Sequence, residues 1–154
     1  MGTKRVGLAR VEALIEQLKR DLDLSGATLS GGAVSGGSVS GVTGLATAVQ
    51  TVAALGEDKD DAAAIAATAP LVLVTGANGT TGVELPALSA VSAGSIFIIA
   101  NTVAQILKVY PNQGDKILPL ADNQAVTVAA SCVLICVAAD ADKWVGIEGT
   151  AISA

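Results

Sequence analysis

Six short runs of aliphatic and β-branched residues, at 71–75, 95–101, 105–110, 125–129, 132–138 and 143–147, recur through the second half of the chain, and each stops at turn-forming residues. Runs this short are strand-sized. The separators at 76–82, 111–115 and 139–142 supply Gly, Asn, Asp and Pro, which suit turn angles. This punctuation predicts a mainly β fold, with an antiparallel β-sandwich or barrel over residues 71–154. Around Lys108 apolar and polar residues alternate, as in a strand with one wet face. Residues 96–99 and 133–137 are instead apolar on both faces, so those two strands are expected to be buried or interfacial.

Composition says why an interface is expected. Hydrophobic residues make up 51% of the 154, charged residues 15% and aromatics 2%. The apolar surface is therefore mostly Ala, Val, Leu and Ile, and one domain has more of it than one core hides. Large exposed apolar patches are uncommon on monomers, so association with copies of the same chain is the default expectation. A membrane span fits less well, because the apolar stretches 85–107 and 125–139 are interrupted by Ser, Gly, Asn, Gln or Thr. The basic N-terminus runs into Glu12, Glu16 and Asp21 rather than an apolar signal core. With 9 basic against 14 acidic residues and a net charge of -5, the chain also lacks the footprint of a nucleic-acid binder.

Histidine is absent, which removes the usual general base near neutral pH and the commonest metal ligand. No catalytic, cofactor-binding or metal-ligating residues are assigned. The acidic cluster Glu57, Asp58, Asp60 and Asp61 lacks the spacing and glycine of a calcium loop and reads as a solvated turn. Cys132 and Cys136, in Cys-Val-Leu-Ile-Cys, fall on one face of a strand about 13 Å apart, too far to pair with each other. They read as small buried hydrophobes.

Three segments precede the β-domain. Residues 1–23 hold an amphipathic helix over 3–22, with Leu8, Val11, Ile15, Leu18 and Leu22 at coiled-coil spacing. That stripe suits either a self-associating bundle or one helix lying on its own domain or on a neighbouring subunit. Residues 24–44 carry a period-five repeat, Leu-Ser-Gly-Ala-Thr through Val-Ser-Gly-Val-Thr, whose aliphatic position is Leu24, Leu29, Val34 and Val39. A flexible Gly/Ser linker is one reading. The other is a shaft of three chains, each pointing its aliphatic residues at a shared axis, because so few repeats do not bury themselves. Residues 45–70 read as a short helix, with apolar Leu45, Val49, Val52 and Leu55 ended by Gly56, followed by the acidic loop.

Residues 71–82, Leu-Val-Leu-Val-Thr-Gly-Ala-Asn-Gly-Thr-Thr-Gly, resemble the strand and glycine turn of a dinucleotide-binding fold of the atypical short-chain dehydrogenase kind. Pro86 blocks the helix such a site needs, and no acidic residue ends a second strand about 20 residues on. A nucleotide-binding protein is thus a remote alternative. Another pattern covers more of the chain: Gly82-Val-Glu-Leu-Pro86, Gly94-Ser-Ile-Phe-Ile-Ile-Ala-Asn101, Leu107-Lys-Val-Tyr-Pro111, Gly114-Asp115-Lys-Ile117 and Lys143-Trp144-Val145. Their order resembles a β-module recurrent in tailed-phage virion proteins. The opening Thr3-Lys-Arg-Val-Gly-Leu-Ala-Arg10 is similar to the start of structural proteins of marine phages, including those of cyanobacteria.

The resemblance implies a non-enzymatic virion protein, assembled in the host cytoplasm, with no cofactor, nucleic acid or membrane partner. Within that class the expectation is a homotrimeric capsid decoration or cement protein. Its N-terminal region would bind the major capsid protein or another virion protein. A head- or tail-fibre or adhesin subunit, with the pentads as shaft and the β-domain as knob, is the alternative. Leu8, Val11, Ile15, Leu18, Leu22, Leu29, Val34 and Val39 are the expected assembly residues.

Overall fold

The computed structural model describes residues 11–13 and 47–149. The chain divides into two units, Met1–Thr43 and Gly44–Ala154. In the first, residues 11–13 are helical and exposed; the remainder of the expected helix and the pentad segment lie outside the described residues. The second unit is mainly β and begins well before residue 71.

Its strands are β1 (Val49–Val52), β2 (Ala63–Ala64), β3 (Leu71–Val74), β4 (Gly82–Glu84), β5 (Ile96–Asn101), β6 (Leu107–Tyr110), β7 (Lys116–Leu118), β8 (Val126–Val128), β9 (Val133–Asp140) and β10 (Lys143–Gly149). One 3-10 turn, Leu88–Ala90, interrupts them. The strands form a six-stranded sheet in the order β1-β3-β5-β9-β10-β7 and a four-stranded sheet in the order β2-β4-β6-β8.

The chain alternates between the two sheets over its first six strands. β1, β3 and β5 therefore pair in parallel, as do β2, β4 and β6. This is a solenoid-like winding, in which each turn of chain adds one strand to each sheet. After β6 the path reverses: β9 runs antiparallel to both β5 and β10, and β8 antiparallel to β6. Antiparallel pairing, as expected from the sequence, thus occurs at β5–β9–β10 and β6–β8, whereas β7 joins β10 in parallel. The first half differs because each strand's partner comes one full winding later, after a crossing to the other sheet, rather than across a tight hairpin.

Of the short helix expected over 45–55, the described residues 47–55 are instead strand β1 and its flanks. Apolar spacing at Val49, Val52 and Leu55 satisfies a helical stripe, but Val49, Thr51 and Val52 are β-branched, and their burial alternates as on a pleated strand. The inward-facing Gln50 fastens this edge. Its amide donates to the carbonyls of Ala66 and Ala69, and its carbonyl accepts from the Ala66 N–H at 3.1 Å.

Both sheets contribute to one core, from Val72, Phe97, Leu134, Cys136 and Trp144 on the larger to Val83, Leu107, Val109 and Val128 on the smaller. Trp144 is fully buried and meets Phe97 edge-on, with ring centroids 5.6 Å apart and planes at 89°, a pairing favoured by the ring quadrupoles. Within the smaller sheet, β4 and β6 approach closely at Gly82. A Cβ there would lie 2.6 Å from Tyr110 Cε2 and 2.9 Å from the Lys108 carbonyl, so only glycine lets β4 and β6 pair this closely.

Candidate functional site

The broadest unusual surface is the outer face of the six-stranded sheet. Alternation along a strand sends every second residue away from the core, and the registers align these residues into rows. The central row reads Val49, Leu71, Ile98, Ile135 and Ile147 across β1, β3, β5, β9 and β10. A second row holds Ile96, Val137, Val145 and Leu118 across β5, β9, β10 and β7. The third holds Thr51, Leu73, Ala100, Val133 and Gly149. All but Thr51 and Gly149 are aliphatic, and these three rows carry no charge; the charges of the face lie in the next row, at Lys116 and Lys143. Val49, Ile96 and Ile147 are more than half exposed, at 55%, 53% and 58%.

Charge gathers instead at one end of this sheet. Lys116 pairs with Asp142 at 3.0 Å and with Asp122 at 3.5 Å; Lys143 pairs with Asp140 and Asp142, both at 3.3 Å. The Lys116 ammonium holds the Asp142 carboxyl below its usual range, with Lys143 adding to the effect. For Asp140 the main cause is the Ala141 N–H donating to its carboxylate at 2.8 Å, followed by Lys143. These cations and anions satisfy one another, leaving the neighbouring apolar rows without an attached charge.

The turn residues that mark the sequence pattern are architectural. Asn101 is buried at the end of β5, where its amide donates to the carbonyls of Gln105 at 2.7 Å and Ala129 at 3.0 Å, and its carbonyl accepts from the Val103 N–H at 3.2 Å. It ties the β5–β6 turn to the β8–β9 turn. In the Gly114-Asp115 turn, Gly114 adopts φ 87° and donates to Asn123 Oδ1 at 2.9 Å, while Asp115 accepts from the Leu88 N–H at 3.1 Å. Asn78 organises the glycine turn by accepting from the N–H groups of Thr80 and Thr81, both at 3.0 Å. The segment after that turn is strand β4 rather than the helix that cradles a pyrophosphate.

Reactive chemistry is sparse here. Cys132 and Cys136 are free and buried, and burial pushes the Cys136 thiol up to about 12, which keeps it protonated and unreactive near neutral pH. Glu84 is pushed up by partial burial, opposed by Lys59 and by the Asn112 amide that donates to it at 3.1 Å. Among the described residues no group of His, Cys, Asp and Glu is placed to hold a metal ion, and no helix is long and apolar enough to cross a membrane.

Comparison of the chain with family models, with curated proteins and with solved structures finds no match.

Of the residues expected to mediate assembly, Val11 falls in the described helical stretch and is 55% exposed. Leu8, Ile15, Leu18, Leu22, Leu29, Val34 and Val39 lie outside the described residues. The aliphatic sheet face adds residues that the sequence reading did not assign to assembly. Part of its signal was available: 96–99 and 133–137 are apolar on both faces, the mark of strands covered on both sides. Their alignment with Val49, Leu71 and Ile147 depends on pairing across distant parts of the chain.

Proposed function

We propose that this chain is a non-enzymatic structural component of a bacteriophage particle, acting as a homotrimeric capsid decoration or cement protein. Its N-terminal region binds the major capsid protein or another virion protein, and the β-domain faces solvent or clamps the lattice. The uncharged aliphatic sheet face carries the assignment, because it is built for contact with protein. The landmarks shared with the phage β-module support it further: Asn101 closes β5, Pro111 follows β6, Gly114-Asp115 forms a turn and Trp144 anchors β10.

The period-five pattern of Leu24, Leu29, Val34 and Val39 favours a second arrangement, in which the pentads form the shaft of a head or tail fibre and the β-domain its knob. Antibodies against the β-domain, applied to purified particles of a phage that encodes the chain and imaged by electron microscopy, separate the two. Dense labelling over the head, with hundreds of copies per particle by quantitative mass spectrometry, supports the cement. Labelling at a few projecting sites supports the fibre. Particles that bind no antibody and contain no peptide of the chain overturn both.

A further inference from the structure

Parallel strands are normally covered on both faces, because the connections that make them parallel lay chain over the sheet. Here β1, β3 and β5 pair in parallel, yet those connections run through the second sheet and cover one face alone. The uncovered face is as aliphatic as the covered one. We propose that copies of this chain cover it, three around an axis, each presenting the outer face of its six-stranded sheet to the other two. This rests on the homotrimer assignment above and places the interface in the β-domain rather than in the N-terminal helix and pentads.

Size and charge both favour a second copy as the occupant. Six strands spaced about 4.8 Å apart make a face roughly 25 Å across. With its side-chain relief, that surface approaches the about 800 Å² per partner that a standard interface buries. A partner for these three uncharged rows must itself lack charge there, or it strands an unpaired ion at the contact. Another copy of the same face meets that condition. The lysines and aspartates at the end of the sheet are already paired within one chain, so bringing copies together there leaves no lone charge to desolvate.

Geometry favours three copies. Closed into a triangle, faces roughly 25 Å wide stand about 7 Å from the axis at their midlines, somewhat more than the about 5 Å each sheet contributes in ordinary face-to-face packing. The midline lies between β5 and β9, where the paired residues of the central row are Ile98 and Ile135. Long branched side chains at that position fill the wider centre. At the corners, Val49 on the β1 edge of one copy meets Val145 and Leu118, near the β7 edge of the next, a head-to-tail contact that closes on itself after three copies.

The test is light scattering of the full chain and of single variants at micromolar concentration. The wild type should be a trimer. Ile98→Glu and Ile147→Glu should fall to one third of that mass while keeping β circular dichroism and buried Trp144 fluorescence. Ile106→Glu, at an exposed apolar site outside the sheet, should remain a trimer. If Ile98→Glu does not fold, the 58%-exposed Ile147 decides alone. Ile147→Glu and Ile98→Glu that both stay trimeric overturn the face while leaving the homotrimer intact. A wild-type dimer overturns the threefold arrangement, and a wild-type monomer overturns the homotrimer and this interface together.

Discussion

Asn101 is the buried polar side chain of the described core, 2% exposed, and every hydrogen bond it makes goes to backbone. Removing its amide takes the shared donor from the part-buried carbonyls of Gln105 and Ala129. Asn101→Ala should therefore destabilise the fold by about 1–2 kcal/mol. Asn101→Asp should cost more, because it aims carboxylate oxygen at those same carbonyls in place of a donor. Urea unfolding followed through Trp144, the sole tryptophan, at one fixed protein concentration measures both. A loss below about 0.5 kcal/mol for the alanine variant would mean that the two turns hold without this tie. Asn101 and Trp144 were legible in the sequence as landmarks, since a strand-ending Asn and a lone large aromatic are conspicuous among aliphatics. Their settings were less so: Trp144 meets Phe97 edge-on inside the core, a contact that requires β5, β9 and β10 to lie side by side.

Among the elements, the β9–β10 hairpin brings its charges together through local sequence. Asp140, Asp142 and Lys143 are near neighbours in the chain, and β7 pairs in parallel with β10 to add Lys116. The folded state holds Asp142 and Asp140 below the usual carboxylate range. Their stabilising contribution is then fully present above the unfolded carboxylate value, and it is lost as pH falls through the lowered folded one. Asp142→Asn should lower the thermal midpoint near about pH 6, and the difference from wild type should be smaller at about pH 3, below the usual carboxylate value. About 1 M salt should narrow the gap at the higher pH, as for any exposed ion pair. A gap unchanged at both pH values would remove the ion pairs as its cause. The same hairpin was readable in outline, because residues 133–137 and 143–147 are strongly β-forming on either side of an Asp-rich turn. β2 and β7 were not: Ala63-Ala64 has little strand propensity, and Lys116–Leu118 sits within a turn motif. The parallel half escaped for a topological reason, since short runs between turns look alike whether the next strand joins the same sheet or crosses to the other.

For the whole molecule, composition foretold excess apolar surface, and the fold gathers much of it onto one face. A chain of net charge -5 gains little from long-range attraction to its own copies, so association depends on removing that face from water. Stability then becomes inseparable from concentration, because unfolding releases three chains from one particle. The thermal midpoint should rise by roughly 2–5 °C for each tenfold increase in protein concentration, given the unfolding entropy usual for domains of this size. Ile147→Glu should both lower the midpoint and abolish its concentration dependence, since the variant unfolds as separate chains. Scanning calorimetry across two decades of concentration reads both quantities at once. A wild-type midpoint that does not move would mean that free chains do not associate through the aliphatic face, and assembly on a virus particle would then have to come from elsewhere in the molecule.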